Sequence, residues 1–369
     1  MSELPSPIDP AALSGYLASR GWQQDGSWRG AHIWTQPDRG RLLVPEHVEY
    51  ADDAELLQTA VIKLAGIEDR APREIMLDIA EPEMDVPVFR LQPDTPSGTI
   101  PLPSAMKAIQ GIHDALKVSA QTVELGPRLL YTGQRSRYID HFLRRVRIGT
   151  TRAGSYVFDA RVPIGAPPRL TLDELWNNEL PGRHVMTTFY QAIVAVHTAA
   201  ANVAGDQAGF GLLDDGTEQG VSANLCSALG NLGGVDKNRP FDVGITWARA
   251  EVPELPSTTL SFSPGMVRTL VAASSELEKL AKSGRATVTG IVETLTWPDG
   301  EGPRVRIKGA LHASNETFQR SIWVVLTPDD YRRAFDAHDA KRQLRVTGQL
   351  VPDRKRLEMR PDPGGFDVL

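Results

Sequence analysis

Between Arg285 and Arg360 hydrophobicity alternates residue by residue, and this period constrains the fold more than any other feature of the chain. Successive side chains of a strand point to opposite faces, so such alternation marks strands with one buried face. Arg304–Leu311 shows it cleanly: Val305, Ile307 and Leu311 fall on one face, Arg304, Arg306 and Lys308 on the other. Ala286–Trp297 precedes it across a Pro298-Asp299-Gly300 turn. Ser321–Leu326 follows, with Ile322, Val324 and Leu326 alternating against Trp323 and Val325. Thr327, Pro328 and Asp330 then read as a helix start, with threonine as cap and proline where no donor is needed. Tyr331, Ala334, Phe335 and His338 form the expected inner face of that helix. Two strands complete the set, Arg342–Val351 and Arg356–Arg360.

Three strands, a helix and two strands is the element order of the OB-fold, the five-stranded oligonucleotide/oligosaccharide-binding barrel. Residues 285–369 resemble an OB-fold domain; for residues 1–284 no resemblance to a characterised family is recognised. Gly290, Gly309 and Gly348 suit the bends of a small barrel. The resemblance implies a binding platform on the second and third strands. There Arg304, Arg306 and Lys308 would track phosphates and Trp323 would stack on a base. Trp297, His312 and Phe318 are candidates to join that surface.

The chain of 369 residues is too long for one ordinary domain. Its punctuation predicts an α+β multidomain protein in three regions. Residues 1–95 read as a small acidic α+β domain of order α-β-β-α-β-β. Its helices are Ala11–Arg20 and one capped by Asp52 or Asp53 and ending at Glu68. Its strands are Trp28–Thr35, Arg41–Pro45, Glu74–Ile79 and Val86–Leu91. A proline-rich linker leads to a mixed helical and hairpin region, residues 104–284. Its helices are predicted at Ser104–Val123, His184–Val203, Glu218–Leu229 and Gly265–Lys282, with a short strand at Asp242–Trp247. Phe142–Thr151 and Ser155–Pro163 read as an arginine-rich hairpin in preference to a helix over 137–147, because Val146–Thr151 is strand-like in composition. The OB-like region follows at 285–369.

The net charge of −6 argues against a chain that is basic throughout, but it hides a partition. Residues 1–127 hold 10 basic and 19 acidic side chains, a net of −9. Residues 128–152 hold seven arginines against Asp140 alone, a net of +6, and residues 285–360 a net of +4. Arg144, Arg145, Arg147 and Arg152 are therefore further candidates for phosphate or carboxylate recognition. Salt bridges to an acidic neighbour use the same residues equally well.

No catalytic constellation emerges. The eight histidines show no metal-ligand spacing and the lone Cys226 excludes paired-cysteine sites, so neither metal nor cofactor is expected. Gly149–Ser155 resembles a phosphate loop but lacks the lysine and the following helix. Cys226 reads as buried packing, and Asn224 is left open between solvent, cap and ligand. His113-Asp114, as sequence neighbours, should point apart. The single cysteine, the lack of a signal sequence and the lack of an apolar span predict a cytoplasmic protein with no membrane contact. The arginine-rich, alanine-rich composition suggests a bacterial source. The functional expectation is a non-enzymatic binding protein engaging single-stranded nucleic acid or a partner protein encoded nearby. The alternative is an adaptor subunit of a multi-component bacterial system, defence systems included. An enzyme with an unrecognised site comes third.

Overall fold

The computed structural model describes residues 8–133, 136–149, 156–165, 180–204, 216–298, 302–313, 316–351 and 357–369. It is a mixed α+β protein with nine α-helices and three sheets among the described residues. No helix among them is long and apolar enough to cross a membrane. The chain divides into two compact units, Met1–Met84 with Trp247–Pro256, and Asp85–Thr246 with Ser257–Leu369. The hairpin turn at 152–154, the acidic pair Asp214-Asp215 and the Asp299-Gly300 turn lie outside the described residues.

The first unit begins with helix α1 (Pro10–Ser19), capped by Asp9, whose carboxylate accepts the Ala11 N–H. Strands β1 (Gln23–Trp28), β2 (Ala31–Gln36) and β3 (Gly40–Pro45) form an antiparallel sheet in that order. Helices α2 (Ala51–Glu68) and α3 (Pro72–Ala80) follow. Trp34, Leu42 and Val44 on one sheet face join Leu13, Leu17, Leu57, Leu64 and Ile75 in the core. The predicted strand Glu74–Ile79 is instead α3. Ile75, Leu77 and Ile79 alternate, but Ile75, Met76 and Ile79 also share a helical stripe, and Pro72 in the first turn favours the helix. Asp53 does not cap α2 from outside. It sits in the first turn, and its carboxylate accepts the N–H groups of Glu49 and Tyr50.

A polar knot ties this unit. The buried Tyr16 hydroxyl donates to Glu68 at 2.8 Å and accepts from Arg70 at 3.2 Å, and Arg70 pairs with Asp78 at 2.6 Å. Arg249 stacks over the Tyr16 ring and donates to the carbonyls of Asp78 and Ile79 at the end of α3, where the helix dipole favours a cation.

The second unit opens with β4 (Met84–Leu91), predicted with the first region but paired here with β7 (Phe241–Thr246). Between them come α4 (Leu102–Leu125), α5 (Arg137–Arg145), β5 (Arg147–Ile148), β6 (Tyr156–Pro163), α6 (Gly182–Ala204), a 3-10 turn (Gly216–Gln219) and α7 (Ala223–Leu232). Strand β8 (Thr259–Phe262), absent from the sequence prediction, and α8 (Pro264–Lys282) follow. The sheet order is β5-β6-β4-β7-β8. Buried Asp85 of β4 pairs with Arg183 at the start of α6 at 3.2 Å. The predicted strand over Phe142–Thr151 is corrected: residues 137–145 are helical and pairing with β6 starts only at Arg147. Ser136 caps α5, Ile139 and Phe142 bury one helical face, and Arg144 and Arg145 close the last turn where the dipole favours them. Strand-forming composition begins only at Val146.

The last five strands are β9 (Arg285–Thr296), β10 (Arg304–Ala313), β11 (Glu316–Val325), β12 (Gln343–Val351) and β13 (Glu358–Val368), with α9 (Pro328–Asp339) between β11 and β12. They close into a ring of order β10-β11-β13-β12-β9. Every neighbouring pair is antiparallel except β11 and β13, whose parallel contact joins Trp323 to Glu358 and Val324 to Met359. Val288, Val305, Ile307, Ile322, Val324 and Val346 fill the interior. Thr327 caps α9, as expected, by accepting the Asp330 N–H. The buried face of α9 is Ala334 and Ala337; Phe335, expected inward, is 57% exposed. Strand β13 runs well past the predicted Arg360. Its Pro363 falls in the stretch 362–365 that the register with β12 skips between Val346 and Gly348, while Pro361 stands opposite Gly348. Arg320, on the inward row of β11 opposite Gly309, ion-pairs with Glu276 of α8 at 2.9 Å.

Gly290 and Gly309 face each other across β9 and β10, and a Cβ on Gly309 would collide with the Thr289 carbonyl oxygen. Gly309→Ala should therefore cost about 1–3 kcal/mol by overpacking, read from urea unfolding of the full chain. Unchanged stability would count against this close approach. In the first unit, burial pushes the Tyr16 phenol up to about 12, Glu68 adding to the shift while Arg20 and Arg70 oppose it. A folded-state value raised above the ordinary one near about 10 stabilises below it, and the stabilisation is lost as pH climbs to that folded value. Tyr16→Phe should flatten the alkaline fall in stability and remove one late step from the phenolate absorbance titration.

Candidate nucleic-acid interface

The alternation of β10 does what its sequence implies for Val305 and Ile307, which are fully buried. Arg306 stands directly opposite Trp323 of β11, and its guanidinium lies 6.0 Å from the indole centroid. That is the outer limit of cation–π attraction. Lys308 is exposed, flanked across the strands by Ile291 and Ser321. Arg306, Lys308 and Trp323 thus share the outer face of β10 and β11.

Two acids that the alternation pattern does not single out reach this face from the neighbouring strands. Glu293 of β9 contacts Arg306 at 3.2 Å and accepts the Ser321 hydroxyl at 2.9 Å. The Arg306–Glu293 pair is partly exposed, so it contributes about 0–1 kcal/mol. Glu358 of β13 pairs with Arg304 at 3.5 Å, and both are buried. This corrects the expectation for Arg304. The pattern places it in solvent as a phosphate ligand, but it reaches past β11 to Glu358. Alternation alone assigns a face and says nothing about what covers it. The signal that could have found the pair is Glu358 itself, a lone acid at the start of the strand that must close the ring.

Around this face, Trp297 is 52% exposed and meets Tyr331 edge-on at 5.3 Å. His312 is exposed and bonds Thr317 at 2.8 Å. Phe318 is buried beside Leu311, on the inward row, and does not join the surface.

The second predicted group sits on a different sheet. Arg144 and Arg145 end α5, and Arg147 lies on β5. The correction from strand to helix changes their grouping: Arg144 projects to solvent while Arg145 donates to the Gly165 carbonyl at 2.9 Å. Arg152 lies outside the described residues. Asn224 is structural, because its side-chain amide accepts from the Tyr131 N–H at 2.8 Å and donates to the Tyr131 carbonyl at 3.1 Å. Cys226 is fully buried on α7. His113 and Asp114, expected to diverge, lie 3.1 Å apart on α4. Burial opposes ionisation of Asp114, but hydrogen bonds from Lys117, Gln110 and His113 outweigh it and hold the carboxyl below the usual range. Among the described residues no cluster of His, Cys, Asp and Glu is suited to a metal ion.

Removing one member of a buried pair strands the other charge. Arg304→Ala should cost about 3–5 kcal/mol, whereas Lys308→Ala should fall within about 0.5 kcal/mol of the parent, both read from urea midpoints. Equal effects would show that Arg304 is not a structural clasp. Comparison of the chain with protein-family models, with curated proteins and with solved structures finds no match.

Proposed function

We propose that residues 285–369 form an OB-like barrel whose β10–β11 face binds single-stranded nucleic acid, without catalysis. The observation that carries this reading is Trp323 on the outer face, with the Arg306 guanidinium 6.0 Å from its ring centroid and exposed Lys308 beside them. A base stacks on a guanidinium or indole plane whatever its identity, and the neighbouring cations take the flanking phosphates. The strand order, with its parallel β11–β13 closure and the helix between β11 and β12, supports the OB-like assignment.

With Arg304 engaged internally, this reading assigns the flanking phosphates to Lys308 and to Arg306, which would exchange Glu293 for the ligand. Two phosphate contacts give a logarithmic salt slope of about −1.4 for a single strand, so binding is weak and falls gently with salt. Fluorescence anisotropy with labelled oligothymidylate at low salt should show saturable binding. Trp323→Ala should weaken it by about 5- to 150-fold, the worth of one stacked base. Lys308→Ala should lower the slope by about 0.7. The reading fails if no association appears at low salt, or if Trp323→Ala binds like the parent.

A protein partner is the second reading, favoured by exposed apolar residues in the same region: Ile291 on β9, Trp297 just after it and Phe335 on α9. Phe335→Ala separates the two, since it should abolish co-purification of a partner and leave oligothymidylate binding unchanged.

A further inference from the structure

The first unit holds a groove that the ring does not explain. It has a volume of about 600 Å³, within the range of ligand sites. Three consecutive residues of β3, Arg41, Leu42 and Leu43, run along one side, and Leu56, Ala60 and Lys63 of α2 form the other. Trp28 at the end of β1 closes it and is 53% exposed, with Arg29 stacked 4.8 Å from its ring centroid.

Two observations specify the occupant. First, β3 is an edge strand, and among the described residues only β2 pairs with it. Consecutive residues along a groove mean that the strand presents its edge there as well as one face. An unpaired edge accepts an added strand through main-chain hydrogen bonds. Second, the charged residues lining the groove are Arg41 and Lys63, both exposed and both cationic. The occupant must therefore be extended and acidic, with small aliphatic side chains to meet Leu43, Leu56 and Trp28. The geometry points to a docking site for an acidic, extended peptide segment of a partner protein, added to β3 as a fourth strand.

This site lies on the first unit and stands independently of the nucleic-acid reading. The probe is a fluorescein-labelled, acetylated peptide of alternating Glu and Val, titrated into the full-length chain and followed by anisotropy. Saturable binding should appear at millimolar peptide or below. Lys63→Glu, on an exposed helix face, should weaken it at least about tenfold, and Arg41→Glu likewise, while thermal melts show both variants folded. Trp323→Ala should leave it unchanged, which separates this result from any on the ring face. A peptide N-methylated at alternate residues keeps every side chain but cannot extend the sheet, and it should not bind. The proposal is overturned if the N-methylated peptide, or a control peptide of alternating Lys and Val, binds like the Glu-Val peptide. It is equally overturned if octanoate binds while the peptide does not, which would make the groove a small-molecule pocket. Absence of all binding would leave Arg41 and Lys63 as guards of an edge strand and would also refute it.

Discussion

Closure of the ring rests on one short parallel contact, Trp323 with Glu358 and Val324 with Met359. The other strand pairs in the ring are longer antiparallel ladders, all but β9–β12 between strands adjacent in sequence. The parallel step joins strands separated by α9 and β12. Arg304 reinforces it by reaching from β10 to Glu358. A buried pair of this kind adds little net energy over an apolar contact, but it penalises any register in which either charge is left alone. Trp323 stands in the same contact, so the residue proposed to stack on a base is positioned by the interaction that closes the ring.

This explains how one strand carries two kinds of arginine. Arg304 and Arg306 are two residues apart and alike in pattern, yet one is buried against Glu358 and the other is partly exposed against Glu293. The difference lies in what stands two strands away, and that neighbour is set by tertiary closure.

The ring is the legible part of the sequence because its strands have one buried face each, and alternation reports that directly. Val305, Ile307, Ile322 and Val324 all lie where the pattern places them. Legibility fails where two periods fit the same residues. In α3, Ile75 and Ile79 satisfy both a strand and a helix, and the proline ahead of them is the better guide. In α5 the strand-like run that begins at Val146 invites extension backward over a helix that Ser136 already caps. Of the candidate site, the cations and the indole are readable as residue types on a strand face. Their acidic partners Glu293 and Glu358 are not, because each arrives from another strand of the ring.

The loop between β7 and β8 has a consequence for how the protein is made. Arg249, on that loop, completes the Tyr16 knot by binding carbonyls 170 and 171 residues earlier in the chain. Contacts of such separation form slowly, since a long loop must close before they repay its entropy. On the ribosome the first unit emerges early but must wait for most of the second unit's sheet to be translated before its last piece arrives. The Tyr16 ring and the carbonyl end of α3 are therefore without their arginine in the nascent chain, and this is the stage at which a chaperone or a pause in translation would matter most.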